Sequence, residues 1–337
     1  MGGANSQAIE FGTYVGRDAQ VRSANAITGI DDLKKSGNGF GVFAFYTGTA
    51  DFAEASATTP NFMNNQKVEY STTTSDWTYS PLKYWPNNDG DKVSFFAYAP
   101  YAAKTWSAGN KIAYTVEDVV TEQVDLLFAP GEKNKTKQST TGKVSFAFKH
   151  ALARIGFSVA YAADQTTEGG TLGDATKITI NKVVIRKKGA STETEGVFYT
   201  GGNLTLTADN ADAAWADQTG AQAFTLTDAN FTAKELNKAT AKIAPFNKVD
   251  SYVMIIPQNT EFEVYVEYTV ATTDASLTDG KSEIVNKITT PVSAIDFKAN
   301  TSYTLNLVLG MTSVKVAATV DDWTAGSTTD VNVPANH

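Results

Sequence analysis

The sequence predicts an all-β protein built as two tandem β-sandwiches, and three observations carry that prediction. Short apolar runs with period-two alternation recur along the chain, and that period belongs to strands with one buried face. Clusters of Gly, Asn, Asp and Pro separate the runs, and helix-period stretches are few. At 337 residues the chain exceeds one ordinary sandwich, so its length points to about two domains. With 42% hydrophobic and 19% charged residues, it has the composition of a core-forming chain rather than a disordered polyelectrolyte.

Taken in order, residues 9–21 alternate, with Ile9, Phe11, Thr13, Val15, Arg17, Ala19 and Val21 on one side. This reads as an edge strand that closes a sandwich. Residues 30–35 suggest one helical turn ended by Gly37. Phe40, Val42, Phe43 and Phe45 are apolar on both faces of the next run, as expected of a central strand. An aromatic-rich stretch, residues 76–86, leads through the turn cluster Asn87-Asn88-Asp89-Gly90-Asp91 into a strand over 92–99. Shorter strands are expected at 112–116 and 124–128. Residues 130–142 are polar and rich in Lys, Thr and Ser, and read as an exposed linker. The domain boundary is placed there, giving domains 1–142 and 143–337.

The stretch 144–159 opens the second half with a phase slip. Val144, Phe146 and Phe148 occupy even positions, then Ala151, Ala153, Ile155, Phe157 and Val159 occupy odd ones. An unbroken strand would send the second set to the wrong face, so the chain is expected to bend at Lys149 and His150. A short helix from Phe148 to Ile155 is the competing reading. Strands follow at 178–185, and at 197–200 and 204–206 as a hairpin across Gly201-Gly202. A helix is expected around 231–239. Residues 252–257 read as a central strand. Phe262, Val264, Val266, Tyr268 and Val270 alternate with Glu263, Tyr265, Glu267 and Thr269, the pattern of a strand with one wet face. Two further strands are expected at 303–309 and 314–320, and Val331 and Val333 suggest a last short one.

Composition also limits function. A net charge of -8 argues against a nucleic-acid partner, which requires basic stripes. The absence of cysteine removes disulfides, thiol nucleophiles and Cys-ligated zinc. The two histidines, His150 and His337, are too far apart in sequence for His-based metal spacing, and His150 in an apolar strand reads as a hydrogen-bonded structural residue rather than a triad member. Asp89-Gly90-Asp91 reads as a turn, since it lacks a full calcium loop. Glu263 and Glu267 read as solvated strand residues rather than a glycosidase pair. Gly37, Gly39 and Gly41 lack the strand-to-helix context of a dinucleotide fingerprint. Trp77, Tyr79, Tyr84 and Trp85 leave two readings open, a sugar-stacking platform or rings packed over the sandwich edge. No catalytic site, metal or cofactor is expected.

Several separated stretches together resemble the fimbrillin-like proteins of Bacteroides and its relatives, the subunits of surface fimbriae. They are Trp77-Thr78-Tyr79 with Tyr84-Trp85-Pro86, residues 93–100, Asp125-Leu126-Leu127-Phe128-Ala129, Phe148-Lys149-His150-Ala151-Leu152, Ile255-Ile256-Pro257-Gln258 and the stretch 303–323. The resemblance implies transthyretin-like (Greek-key) sandwiches, export as a lipoprotein to the outer membrane, and a place in a cell-surface fimbrium. It also implies polymerisation with other fimbrial subunits after a protease removes the N-terminal strand. Surface glycans or proteins are further expected partners of an adhesive subunit. The sequence carries neither a lipobox cysteine nor a signal peptide, so the membrane is expected to matter only through a lipid anchor on a precursor trimmed to this form.

Removing a strand from a sandwich leaves unpaired backbone groups and empty apolar pockets, which another chain's strand can fill. The expected removable strand carries Ile9, Phe11, Thr13 and Val15. Each of its large apolar side chains contributes about 1.5–3 kcal/mol on full burial, while ordering the strand costs about 1–2 kcal/mol per residue. Arg22, followed by small Ser23-Ala24, and Arg17 are the expected processing sites for a trypsin-like protease. The resemblance implies a donor at the C-terminal end, and the candidate here carries Val314, Val316, Ala318, Val320, Val331 and Val333.

Overall fold

A computed structural model describes residues 7–15, 30–162, 172–207, 212–322 and 325–329. The first half contributes β1 (Glu10–Val15), α1 (Ile30–Leu33), β2 (Phe40–Gly48), β3 (Met63–Ser71), β4 (Asp76–Thr78), β5 (Lys92–Ala99), β6 (Lys111–Thr115), β7 (Leu127–Lys135), α2 (Lys137–Thr140) and β8 (Lys143–His150). The second contributes β9 (Ala153–Tyr161), β10 (Thr176–Arg186), β11 (Gly201–Thr205), β12 (Ala214–Thr219), β13 (Phe224–Thr227), β14 (Glu235–Leu236), β15 (Lys242–Ile243), β16 (Val253–Ile255), β17 (Gln258–Thr273), β18 (Lys281–Phe297), β19 (Thr301–Leu309), β20 (Val314–Asp322) and β21 (Ala325–Thr329). The protein is all-β, as expected.

One sheet runs β1-β8-β7-β5-β2-β3-β4. It curls so that its ends meet, for Ala8 bridges Tyr84 and the amide of Ile9 donates to Lys83 at 2.9 Å. The inside of the curl holds one core, with Phe11, Phe40, Phe95, Phe146 and Phe148 fully buried. Because β2 and β5 are apolar on both faces, Phe43, Phe45, Phe96 and Tyr98 point the other way into a second, larger core. That core fills the sandwich between β13-β10-β17-β18 and β15-β9-β19-β20-β21. A small sheet, β12-β11-β6, ties the halves together.

The phase slip at the centre of the chain is resolved as strand, bend, strand, with no helix. β8 continues through His150 and the bend falls at Ala151-Leu152, two residues that end one sheet's strand and begin the other's. Three backbone groups at the bend are paired. The Ala151 amide donates to Leu126, its carbonyl accepts from the Trp215 indole at 2.8 Å, and the Leu152 carbonyl accepts from the Asn300 amide. By strand pairing β8 lies in the first sheet, between β7 and β1, so the boundary drawn after Gly142 separates two neighbouring strands of one sheet.

Three other local expectations are corrected. Residues 130–142 are no linker: β7 runs on to Lys135, and Thr136 then caps α2 with a reciprocal Thr136–Ser139 capping box. Residues 231–239 form no helix; a short turn at Asp228–Asn230 leads to β14, which pairs with β10. Gly201-Gly202 is not a hairpin turn. It lies inside β11, between β6 and β12, where small residues let the Trp215 ring approach at 3.3 Å from a Cβ built on Gly202.

Candidate functional site

The N-terminal strand occupies the closing seam of the first sheet. β1 pairs in parallel with β8, Glu10 opposite Lys143 through Val15 opposite Phe148. Its inward row begins with Ile9, which is 1% exposed, and Phe11, which is fully buried. The Phe11 ring lies 5.8 Å from Phe146, 6.0 Å from Phe95, 6.2 Å from Phe40 and 5.3 Å from Tyr79, a complete aromatic socket. Thr13 continues the row, but its buried hydroxyl has no hydrogen-bond partner. Such a group costs about 1–3 kcal/mol. The anchor at Phe11 is therefore strong, and the next inward position weakens the strand.

The other edge of β1 is held by residues 79–85. The Tyr79 hydroxyl donates to the Ile9 carbonyl at 2.9 Å and to Lys83 at 3.2 Å, and burial pushes its phenol above the ordinary value. The Trp85 amide donates to the Gln7 carbonyl at 3.0 Å. Below the strand, the Gly142 carbonyl accepts from both the Glu10 amide and the Trp85 indole, the latter at 3.0 Å. Gly142 has φ +91, and a Cβ there would lie 2.0 Å from the Gln7 side chain. Only glycine fits this corner. The polar stretch that reads as a linker is in fact the floor on which β1 is docked.

At the other terminus, β20 is paired along its whole length with β19, Thr301 opposite Asp322 through Leu309 opposite Val314, and on its other edge with β21 only over Val320–Asp322. Val314, Val316 and Ala318 are buried against the large core, while Val320 is half-buried. Arg17, Arg22, Val331, Val333 and His337 lie outside the described residues.

The four candidate glycan-stacking residues do not form a common exposed platform. Trp85 is 3% exposed, Trp77 packs on Phe40 and Tyr70, and Tyr79 clamps β1, which leaves Tyr84 as the open ring. The hydrophobic demand of the curled sheet consumes the rest. His150 is a buried structural residue whose Nδ1 lies 2.8 Å from the equally buried Asp125 carboxylate. Asp91 of the 87–91 turn bonds the Tyr46 hydroxyl at 2.7 Å and the Asn88 amide. Glu263 corrects its expected solvation. It is buried and accepts from Arg186 Nε and from the Gly189 amide, both at 2.8 Å, so the strand's wet face is covered at that point. Glu267 is paired with Lys287 at 3.5 Å. Gly37 and Gly39 lead into β2, and Gly41 within it makes room for the Tyr98 ring. Among the described residues no cluster of His, Asp and Glu is arranged to hold a metal ion.

These features place the chain in a known class. A sequence model described as fimbrillin-like matches residues 28–323, and the chain belongs to that family. β1 lies ahead of the matched span. The fimbrium subunit Fim1C of Phocaeicola vulgatus is 29% identical over 362 aligned positions, covering 96% of this chain and 91% of that protein. Among solved structures, a fimbrial protein from Bacteroides vulgatus superposes with a TM-score of 0.69 at 22% identity, covering 94% of this chain and 99% of the other. A proposed cell adhesion protein from Parabacteroides distasonis superposes at 0.52 with 11% identity, covering 95% and 99%. These last two likenesses bear on the fold alone.

Proposed function

We propose that this chain is a structural or tip subunit of a bacterial surface fimbrium that polymerises by strand exchange once its N-terminal strand has been cut away, contributing to adhesion at the cell surface. Family membership supports the fimbrial role, and the relative named a fimbrium subunit aligns over nearly the whole chain. The observation that carries the exchange step is the construction of β1. It is an edge strand paired with one neighbour, its Phe11 fills a socket of four rings, and its remaining bonds come from the 79–85 segment and Gly142. Its loss would leave the open edge of β8 and a vacant aromatic pocket, a receptor for β-augmentation by another subunit.

The donor belongs to the C-terminal end. β20 is paired along its whole length with β19 and buries Val314, Val316 and Ala318, whereas β21 pairs with it only over Val320–Asp322, so β21 and the segment carrying Val331 and Val333 are the part of this end we assign to exchange. Cleavage after Arg22 or Arg17 would release β1. The subunit is non-catalytic, and any membrane attachment is through a lipid anchor on the precursor.

The test is incubation of the full chain with an Arg-specific protease. Denaturant-resistant ladders are expected, and their loss in the Arg17→Ala/Arg22→Ala double variant ties assembly to the cut. Persistent monomer after removal of residues 1–22 overturns the proposal.

A further inference from the structure

β18 is the outermost strand of its sheet, and among the described residues its only strand partner is β17. Its first ten residues lie at the free end of a long hairpin. Here Ile284 is 57% and Val285 55% exposed. Exposed apolar residues on an unpaired edge are a template for pairing, which folded proteins ordinarily suppress with charges or proline. Pro291 provides such a stop further along the strand, and the segment before it carries Lys281, Glu283 and Lys287. The order of those charges favours one partner over others.

In an antiparallel pair of identical strands related by a two-fold axis perpendicular to the sheet, a residue can face only residues of its own parity. Centring the pair on Ile284 sets Lys281 opposite Lys287, a like-charge contact. Centring it on Asn286 sets Glu283 opposite Thr289 and forms no ion pair. Centring it on Val285 sets Val285 against Val285 and Glu283 against Lys287, and symmetry makes that charge pair twice. Lys281 then faces Thr289. The side chains concerned are available, being 50% exposed at Glu283 and 64% at Lys287, and their present partners within the chain are surface pairs of the weakest kind.

We propose that residues 281–289 of β18 form an interaction surface for a second copy of this chain, pairing antiparallel about Val285 with Glu283 of each copy against Lys287 of the other. The charges select the register instead of blocking the edge. The free edge it offers belongs neither to β1 nor to β20 and β21, although Asn286 behind it donates to the Met311 carbonyl, so it joins chains sideways rather than through the exchanged strand. A pairing this short falls below the size of a stable interface, so it is reversible between free chains and gains strength where several copies are presented together.

The chain has no cysteine, which makes a single introduced thiol a clean reporter. Opposed residues of an antiparallel pair have Cα atoms about 4.5–5.5 Å apart, within the span a disulfide bridges. Under mild oxidation the full-length Val285→Cys variant is expected to form a covalent dimer on non-reducing gels at least about tenfold faster than Leu277→Cys, a comparably exposed turn position away from the axis. Adding Glu283→Lys to the Val285→Cys chain is expected to slow the reaction about tenfold, and adding Lys287→Glu as well to restore it. Equal rates for Val285→Cys and Leu277→Cys overturn the proposal. So does a charge-swapped double variant that reacts no faster than the single one, whether or not the single variant folds well.

Discussion

Phe11→Ala is the most direct probe of whether β1 can leave while the rest of the fold stands. The ring is fully buried and surrounded by Phe40, Phe95, Phe146 and Tyr79. Truncating a core phenylalanine costs about 3–5 kcal/mol, and about 1.4 kcal/mol is a factor of ten in an equilibrium constant. If β1 opens as its own unit, its opening constant should rise roughly a hundred- to a few thousand-fold. Native-state hydrogen exchange reads this amide by amide. Protection should fall across residues 10–15 and hold in β9 and β19, which belong to a different sheet. Thr13→Val is the opposite arm. It removes a buried hydroxyl that has no partner, so it should slow the same exchange by about tenfold. The reasoning fails if Phe11→Ala accelerates β1, β9 and β19 alike, since β1 would then open only by global unfolding. It also fails if Thr13→Val loosens the strand.

Three further outcomes follow from the same geometry. Trp85→Phe keeps the packing on Phe95 but strips a donor from the Gly142 carbonyl; urea unfolding should show a loss of about 1–3 kcal/mol. His150→Gln replaces the imidazole that meets the buried Asp125 carboxylate beside the bend, and should cost about 2 kcal/mol or more by the same measurement. Burial pushes Tyr98 and Tyr268 from 10.0 up to about 12. Between those values the unfolded chain has lost protons that the folded chain retains, so stability is intact below pH 10 and falls as pH rises toward 12. Urea midpoints across that window should decline, and a double Tyr98→Phe/Tyr268→Phe variant should decline less.

What could be read from the residues depended on whether the deciding partner was local. The alternation of β17 and of β1 records one buried face each, and the slip between Phe148 and Ala151 records a change of sheet, because side-chain parity is a property of the strand itself. The bend's position moved by two residues since it is set by Leu126, Trp215 and Asn300, all distant in sequence. Glu263 read as solvated because the strand pattern contains no trace of Arg186, which covers it from β10. The 130–142 stretch read as linker because its residues are polar, yet β7 is half-buried through much of its length. For the site, the strand and its inward row were legible. The clasp at Tyr79 and Trp85 was not, for aromatic spacing cannot distinguish rings that stack on a ligand from rings that hold a strand.

The parallel pairings bear on the proposal that the N-terminal strand is the replaceable one. β8 and β9 form one track through both halves, and each carries a parallel neighbour, β1 on β8 and β19 on β9. The two neighbours are held very differently. β19 is 9 residues long and paired along its whole length on both sides, with β9 and with β20. β1 is 6 residues long, has a full strand partner on one side, and on the other has bonds to residues 79–85 at its first turn of chain. Withdrawing β19 would split the sheet β15-β9-β19-β20-β21 through its middle, whereas withdrawing β1 would unzip one edge and vacate one aromatic socket. On the proposed function, exchange at the β1 seam would open the first core at the Phe11 socket but leave the larger core closed around the bend at Ala151-Leu152, which would hold the receptor groove in shape for an incoming strand.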